Sequence, residues 1–259
     1  MRKPVLCGVF IFICAFGFGQ KKINIDSLVK EASKTEEWNP VPEKITPGTN
    51  CGGAPQDAII LFDGKNLDNF ESKDHSNAKW KLNSDGSMTV VKGSGDIQTK
   101  QPFGSAQIHI EWMTPKEIAG SGQTRANSGI YLMSNYELQV LDSYNNPTYS
   151  NGQAGSIYKQ HIPLVNACQP PGEWQSYDIV FMRPVFSAKG YVLRPATITV
   201  FQNGILILNN VTIHGHTEWI GAPKYTQHAD KLPLLLQEHG LDGGNPLSFR
   251  NIWIRNLEP

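Results

Sequence analysis

The chain has 259 residues, 39% hydrophobic and 10% aromatic, which is enough to bury one sizeable core. Its 23 Lys and Arg balance 23 Asp and Glu, and the absence of a basic stripe excludes a typical nucleic-acid-binding protein. The aromatic content excludes a disordered chain, while 24 Gly and 17 Pro indicate many turns.

The first 19 residues are predicted to be a cleavable secretory signal. Arg2 and Lys3 precede an apolar stretch, residues 5–18, that ends in small residues. A charged start, a short apolar run and a small-residue cleavage site are the parts of such a signal. We therefore expect cleavage near Gln20 and a periplasmic or secreted protein without stable membrane insertion.

Two cysteines, Cys51 and Cys168, remain after the predicted cleavage. An oxidising compartment permits a disulfide between them, and two free thiols are equally compatible with the sequence. Because neither lies in a CxxC or Cys/His spacing, a metal site built on these two alone is not expected.

Residues 20–56 are predicted to be an irregular lead-in or linker, with one short amphipathic helical segment within residues 23–37. Pro and Gly interrupt any regular element after that segment. From residue 57 to 259 the chain is predicted to form one domain of short strands, because runs of four to eight residues rich in Val, Ile and aromatics recur between turn residues. The runs are Ile59–Phe62, Met88–Val91, Ala106–Trp112, Gly129–Met133, Tyr136–Leu141, Ser176–Met182, Ala196–Phe201, Ile205–Leu208, Leu234–Gln237 and Phe249–Ile254.

Asn203-Gly204 separates two of these runs and predicts a tight hairpin, since both residues tolerate positive φ. No long stretch shows helical periodicity, and no repeat of fixed period suggests a propeller. The fold class is therefore predicted to be all-β, with two packed antiparallel sheets in a sandwich or jelly roll.

The run Tyr136–Leu141 is predicted to carry chemistry. Alternate residues of a strand share a face, so Glu137 and Gln139 lie opposite the apolar set of Tyr136, Leu138 and Val140. A solvated outer face would show the same pattern. A sugar site is the alternative that the neighbouring residues favour, because their polar side chains can bind sugar hydroxyls: Arg125, Asn127, Asp142 and Tyr144.

Two carboxylates about 5 Å apart are needed by a retaining glycosidase. Acids at positions i and i+4 of one strand face would be the simplest arrangement. After Glu137, position i+4 is Leu141, and Asp142 falls on the opposite face unless a bulge intervenes. The pattern disfavours double displacement.

His239 follows Gln237 on one face of the run near Leu234. A histidine at a strand end can act as a base or a metal ligand, and it can also be a structural residue bonded to a backbone carbonyl. His214 and His216 form a second candidate metal spacing in an exposed stretch. Tyr158 and Trp174 are aromatics that could stack on a sugar ring or belong to the core.

The motifs together resemble the 3-keto-disaccharide hydrolase domain family, also described as 3-keto-glucoside lyase and hydratase. The resemblance runs from about Trp38 to the C-terminus, with a longer insertion than expected at residues 241–245. The motifs that carry it are Ile60–Leu67, Gly95–Lys100, Asn127–Leu132, Tyr136–Asp142, Gly155–Tyr158, Gly172–Asp178, Leu236–Gly240 and Phe249–Ile252.

This resemblance implies an exported protein with a concanavalin A-like jelly roll that acts on sugars already oxidised at C3. The ketone acidifies the C2 hydrogen, so a base can form an enolate that expels the group at C1, and water can then add back. Glu137 and His239 are the expected base and acid, in an order left open. Arg125, Asn127, Gln139, Asp142 and Gln237 are expected to bind substrate or to lie near a possible divalent metal, and Tyr158 and Trp174 are expected to hold the ring.

An upstream sugar 3-dehydrogenase is the expected metabolic partner. Two other functions stay open on the sequence: a carbohydrate-binding module that needs only the aromatics and the polar strand face, and a conventional glycoside hydrolase acting on unoxidised glycans. Cleavage of a glucoside compared with its 3-keto derivative would separate them.

Overall fold

A computed structural model describes residues 25–37, 39–239 and 246–258. The predicted signal and the insertion at 241–245 lie outside the described residues. The chain divides into two compact units between Lys44 and Ile45. The described part of the first unit holds an exposed helix, α1 (Ile25–Ala32), followed by a 3-10 turn at Ser33–Thr35. No helix among the described residues is long and apolar enough to cross a membrane.

The second unit is built from β-strands, fifteen of them within the described residues. They are β1 (Ile59–Phe62), β2 (Phe70–Ser72), β3 (Lys81–Leu82), β4 (Met88–Thr89), β5 (Ile97–Thr99), β6 (Ala106–Met113), β7 (Asn127–Leu132), β8 (Tyr136–Leu141), β9 (Gln175–Met182), β10 (Val185–Phe186), β11 (Val192–Arg194), β12 (Thr197–Gln202), β13 (Ile205–Thr212), β14 (Leu235–Leu236) and β15 (Ser248–Asn256).

The strands form two main antiparallel sheets. The large sheet has the order β13-β12-β9-β6-β15-β4-β3, with β1 also paired to β15, and the small sheet has the order β2-β5-β14-β7-β8. The sheets pack face to face: the rings of Tyr136 and Phe181 lie 5.9 Å apart, and Tyr177 Oη donates to the carbonyl of Gln139 at 2.9 Å. The predicted all-β sandwich is confirmed.

All ten predicted runs overlap strands of the structure. The hairpin at Asn203-Gly204 is also present, with φ of 52° and 77° at the two residues. The strands without a prediction have only two or three residues, too few to show a pattern: β2, β3, β5, β10 and β11.

The second unit begins at Ile45, whereas the sequence predicted a domain start at residue 57. Part of the predicted lead-in binds the large sheet, because the carbonyl of Gly52 accepts hydrogen bonds from Trp253 Nε1 at 2.9 Å and Asn251 Nδ2 at 3.0 Å. Gly52 has φ of +77°, and a Cβ there would lie 2.8 Å from the ring of His109. A side chain at position 52 would therefore displace this segment.

A charge cluster around the buried His109 lies under that segment, on the face of the large sheet that points away from the small sheet. His109 bonds Asp178 Oδ1 through Nδ1 at 2.6 Å, and its Nε2 lies 3.5 Å from Glu111 Oε1. Burial by itself would lower the pKa of His109, but the two carboxylates outweigh burial and raise the pKa to about 9. His109 is thus held as a cation.

Stability is expected to fall as the pH rises from 6.5 to above 9. A histidine with a raised pKa stabilises the fold fully below its unfolded value of about 6.5, and this contribution is lost through the folded value of about 9. The shift corresponds to about 3 kcal/mol. Urea unfolding at pH 6.5 and 10 measures it, and His109→Gln should remove most of the difference. Equal pH dependence of the free energy of unfolding in wild type and in His109→Gln would show that His109 is not the titrating group.

Cys51 and Cys168 do not pair in the structure. Cys51 is exposed, Cys168 is half-buried, and both are free thiols. Cys168 Sγ instead accepts a hydrogen bond from Gln202 Nε2 at 3.3 Å. Of the two possibilities that the sequence left open, the structure shows the free thiols.

Candidate functional site

A cleft of about 590 Å³ opens on the outer face of the small sheet. This volume lies within the ~300–1,000 Å³ range of sites for small molecules. Among the described residues, its walls are mostly amide and aromatic side chains, with one carboxylate and one imidazole. The lining residues are Gln123, Thr124, Asn127, Tyr131, Glu137, Gln139, Tyr149, Tyr158, Thr217, Trp219, Gln237 and His239.

Strand register builds the floor of this cleft. In the antiparallel pair of β7 and β8, Tyr131 lies opposite Glu137 and Gly129 lies opposite Gln139, so these positions share one face. Gln237 joins the same row from the residue after β14, where its backbone N–H donates to the carbonyl of Gly129 at 3.0 Å. Residues from three neighbouring strands thus meet at one surface.

The alternation predicted for β8 is confirmed, and the alternative of a solvated outer face is wrong. Tyr136, Leu138 and Val140 belong to the core between the sheets. Glu137 and Gln139 are also buried, at 4% and 1% exposure, because loops wall the cleft around them. A carboxylate in this position is removed from bulk water.

Burial raises the pKa of Glu137 to about 7, while a hydrogen bond from Tyr131 acts in the opposite direction. Tyr131 Oη donates to Glu137 Oε2 at 2.9 Å and receives a bond from Gln237 Nε2 at 3.3 Å. The other carboxylate oxygen, Oε1, lies above Gly129, where a Cβ would come within 2.7 Å of it. Because glycine has no side chain, position 129 leaves room for this oxygen.

Three amide side chains of the cleft have their nitrogen atoms held by the protein. Asn127 Nδ2 donates to the carbonyl of Gln123 at 2.9 Å, and Gln139 Nε2 donates to the carbonyl of Gly152 at 3.2 Å. A backbone carbonyl only accepts, so these contacts fix which end of the Asn127 and Gln139 amides is oxygen. Gln237 Nε2 donates to the hydroxyl of Tyr131 at 3.3 Å. Buried oxygens are left without a hydrogen-bond partner at Asn127 Oδ1, Gln139 Oε1 and Gln237 Oε1.

A buried acceptor without a partner costs about 1–3 kcal/mol, so these oxygens favour a ligand that brings hydrogen-bond donors. Sugar hydroxyls are such donors. The amide wall therefore suits a polyhydroxylated ligand.

The cleft walls come from the loop before β7, which carries Gln123 and Thr124, and from two longer loops. In the loop after β8, the hydroxyls of Tyr149 and Tyr158 are 2.7 Å apart. In the loop between β13 and β14, Thr217 Oγ1 accepts a hydrogen bond from the backbone N–H of Glu137 at 2.9 Å. The second loop is thereby fastened to the strand residue that carries the carboxylate.

Most of the predicted site residues meet in this cleft. Glu137 and His239 line it together, which is the arrangement on which the proposed chemistry depends. His239 is half-buried and is the last described residue before the gap at 240–245. Four predicted substrate-binding residues also line the cleft: Asn127, Gln139, Tyr158 and Gln237.

Arg125 and Asp142 do not line the cleft, so the structure corrects their predicted contact with substrate. Arg125 Nε bonds Asp142 Oδ2 at 2.7 Å, and the two side chains are 9% and 3% exposed. Arg125 also donates to the carbonyl of Tyr144 at 3.0 Å. The pair joins the loop before β7 to the residue after β8, because opposite charges taken out of water must neutralise each other.

Trp174 also lies outside the lining of the cleft. It precedes β9 of the large sheet, where the guanidinium of Arg250 lies 4.1 Å from the centre of its ring. Arg250 in turn bonds Glu111 at 2.6 Å. Trp174 therefore stacks on a cation of the large sheet, and its predicted role in holding a sugar ring is wrong.

The described side chains do not form a fitting site for the divalent metal considered from the sequence. Such ions usually take several carboxylate, imidazole or thiolate ligands. Among the described residues, no three His, Cys, Asp or Glu side chains come together in this way. His214 stacks on His161 and His216 lies beside His228, so that pair does not converge.

Sequence reasoning did not select six residues that line the cleft. Tyr131 could have been found, because it shares the period-two face of Asn127 and Gly129 on β7. The others come from turns and loops, where no periodicity marks a side chain that faces a site. They are Gln123, Thr124, Tyr149, Thr217 and Trp219.

Comparison with solved structures places the fold among known proteins. A protein of Parabacteroides distasonis ATCC 8503, described as a "putative glycosyl hydrolase", is 53% identical with a TM-score of 0.83, over 87% of this chain and 96% of that chain. Two more of the same description and organism are 20% and 22% identical, with TM-scores of 0.56 and 0.53. They cover 78% and 77% of this chain and 95% and 99% of their own, and they show the shared fold.

The sequence comparisons identify the family. No curated protein matches the chain. A family model described as the 3-keto-alpha-glucoside-1,2-lyase-like domain matches residues 57–255, which span the sandwich and every described residue of the cleft. The chain therefore belongs to the 3-keto-alpha-glucoside-1,2-lyase-like domain family and is a carbohydrate-active enzyme.

Proposed function

We propose that this enzyme cleaves the glycosidic bond of 3-keto-glucosides by β-elimination, with Glu137 as the base. One observation carries the proposal: among the described residues, the cleft contains a single carboxylate, buried and with a pKa raised to about 7. A conventional glycosidase needs a second carboxylate about 5–10 Å away, and the described lining has none. One base near neutrality is what removal of an acidic C2 hydrogen requires.

The steps use residues of the cleft. Glu137 removes the proton from C2, and the electrons of the C–H bond form an enolate with the C3 carbonyl. The enolate then re-forms the ketone and expels the oxygen at C1, which takes a proton from His239. Water adding across the new C1–C2 double bond completes a net hydrolysis.

Two further groups support these steps. The partnerless amide oxygens, among them Gln139 Oε1 and Gln237 Oε1, accept hydrogen bonds from sugar hydroxyls. In the pair of Tyr149 and Tyr158 one hydroxyl donates to the other, so one O–H is left over to bind the enolate oxygen. The negative charge of the intermediate therefore has a donor within the cleft.

The proposal includes export and a preceding reaction. A ketone at C3 must be introduced by an oxidation of the sugar, so a sugar 3-dehydrogenase acts first. The charged and apolar N-terminal sequence supports a periplasmic or secreted enzyme.

Deuterium exchange at C2 distinguishes β-elimination from conventional glycoside hydrolysis. Wild-type protein is incubated in D2O with methyl α-glucoside and with its 3-keto derivative. We expect release of methanol from the keto sugar only, with deuterium at C2 of recovered substrate or product. Cleavage of the unoxidised glucoside would instead indicate a conventional hydrolase, and saturable binding without turnover of either sugar would indicate a binding module.

The pH dependence is expected to follow the ionisation of Glu137. A base is active as the carboxylate, so kcat/KM should rise with pH through the pKa of about 7. Between pH 5 and pH 6 the ionised fraction grows about ninefold, and kcat/KM should grow with it. Steady-state rates on the keto sugar, with circular dichroism at each pH as a control for folding, measure this. A flat profile over that range would contradict the role of Glu137.

A further inference from the structure

An exposed tryptophan stands at the rim of the cleft. Trp219 is 71% exposed, yet its side chain lines the cleft that contains Glu137. Large aromatic side chains usually bury most of their surface, so an exposed indole beside a site needs a reason other than core packing.

The backbone around this tryptophan is held on both sides. The N–H of Thr217 donates to the carbonyl of Asn135 at 2.9 Å, and Thr217 Oγ1 binds the backbone of Glu137. The carbonyl of Trp219 accepts a hydrogen bond from Lys159 Nζ at 2.6 Å. The indole is therefore presented to the solvent side of the cleft from a fastened segment.

Floor and rim of the cleft offer different chemistry. The floor consists of the carboxylate and buried amides of the small sheet, which suit the hydroxyl groups of the oxidised ring. Trp219 offers an apolar face at the solvent side, and the C–H face of a second sugar ring can stack on such a surface. A leaving group must depart toward solvent, so the rim is where that second ring would lie.

From this arrangement we infer that Trp219 forms a subsite for the sugar ring on the leaving-group side of the bond. The subsite makes the enzyme selective for disaccharides over glucosides of small alcohols. This inference deepens the proposed function and rests on it. The 590 Å³ cleft falls in the ~300–1,000 Å³ range of sites for drug-sized ligands, a size class that includes disaccharides.

The test compares two substrates that share the oxidised ring. In 3-keto-trehalose the leaving group is glucose, and in methyl 3-keto-α-glucoside it is methanol. We expect Trp219→Ala to raise KM for 3-keto-trehalose about tenfold, as the loss of one stacked ring predicts, and to change KM for the methyl glucoside less than twofold. Trp219→Phe should keep most of the selectivity.

Ile220→Ala is the matched control, because Ile220 is the next residue, is 76% exposed and is not part of the cleft lining. It should leave both substrates unchanged. Equal effects of Trp219→Ala on the two substrates, or no effect on either, would overturn the subsite.

A binding experiment separates the subsite from the proposed chemistry. Calorimetric titration with unoxidised trehalose and with methyl α-glucoside needs no turnover. If wild-type protein cleaves neither keto sugar, the proposed function fails, while a Trp219→Ala loss of trehalose affinity alone still supports the subsite. Unchanged trehalose affinity in Trp219→Ala, or no trehalose binding by wild type, would overturn it.

Discussion

Replacing Glu137 with Gln is expected to lower kcat on a 3-keto-glucoside by about 10³-fold, the middle of the range for loss of a general base. The amide has nearly the same shape and can still accept the hydrogen bond from Tyr131, but it cannot take a proton from C2. Steady-state kinetics on methyl 3-keto-α-glucoside measure the loss, and deuterium incorporation at C2 should fall in parallel.

The fold should tolerate this change. The burial that raises the pKa of Glu137 opposes its charge, so a neutral amide is expected to leave the free energy of unfolding unchanged or higher. Binding of an unoxidised sugar should also persist. A fall in kcat of less than tenfold, in a folded protein that binds sugar, would rule out Glu137 as the base.

Gly129→Ala tests independently whether catalysis depends on the position of the Glu137 carboxylate. Its new Cβ would come 2.7 Å from Glu137 Oε1 and 2.8 Å from the ring of Tyr131, which is closer than such atoms approach. The carboxylate would have to move while keeping its charge. We therefore expect reduced kcat with the carboxylate chemically intact, whereas activity equal to wild type would show that Oε1 does not need its present place.

Arg125→Ala is expected to lower the free energy of unfolding by about 3–5 kcal/mol, the cost of leaving one partner of a buried ion pair alone. Asp142 is 3% exposed and would lose its bond from Arg125 Nε at 2.7 Å. The loop after β8 would also lose the bond from Arg125 to the carbonyl of Tyr144. Urea unfolding followed by fluorescence measures the change.

Two comparisons make this result specific. Removing both charges, with Arg125→Met and Asp142→Leu together, should recover part of the lost stability, because neither charge is then left buried. Lys65→Ala removes an exposed ion pair to Asp63 and should have no measurable effect, since water and salt screen it. Equal effects of Arg125→Ala and Lys65→Ala would show that the buried pair is not structural.

Period-two patterning predicted the floor of the site correctly. The alternation along Tyr136–Leu141 placed Glu137 and Gln139 on the face opposite the core, and strand register then put Tyr131 and Gly129 beside them. The absence of a second acid four residues after Glu137 disfavoured double displacement, and the described lining of the cleft has no second carboxylate. Local backbone geometry decides all of these relations.

The errors came from residues whose partners are distant in the fold. Arg125 and Asp142 are polar and close in sequence to the site, and nothing local shows that they neutralise each other under the loop after β8. Trp174 has the composition of a sugar-binding aromatic, yet the strand order carries it to Arg250 on the other sheet.

Strand content, the two faces of β8 and the family can be predicted from the sequence, because each follows from residue types at short spacing. The loops that cover the small sheet, and with them Tyr149, Thr217 and Trp219 in the cleft of Glu137, are visible only in the folded protein. The difference lies in the sequence separation of the interacting residues. Strand periodicity acts over a few residues, whereas the contact between Glu137 and Thr217 spans 80 positions and depends on how all the intervening strands pair.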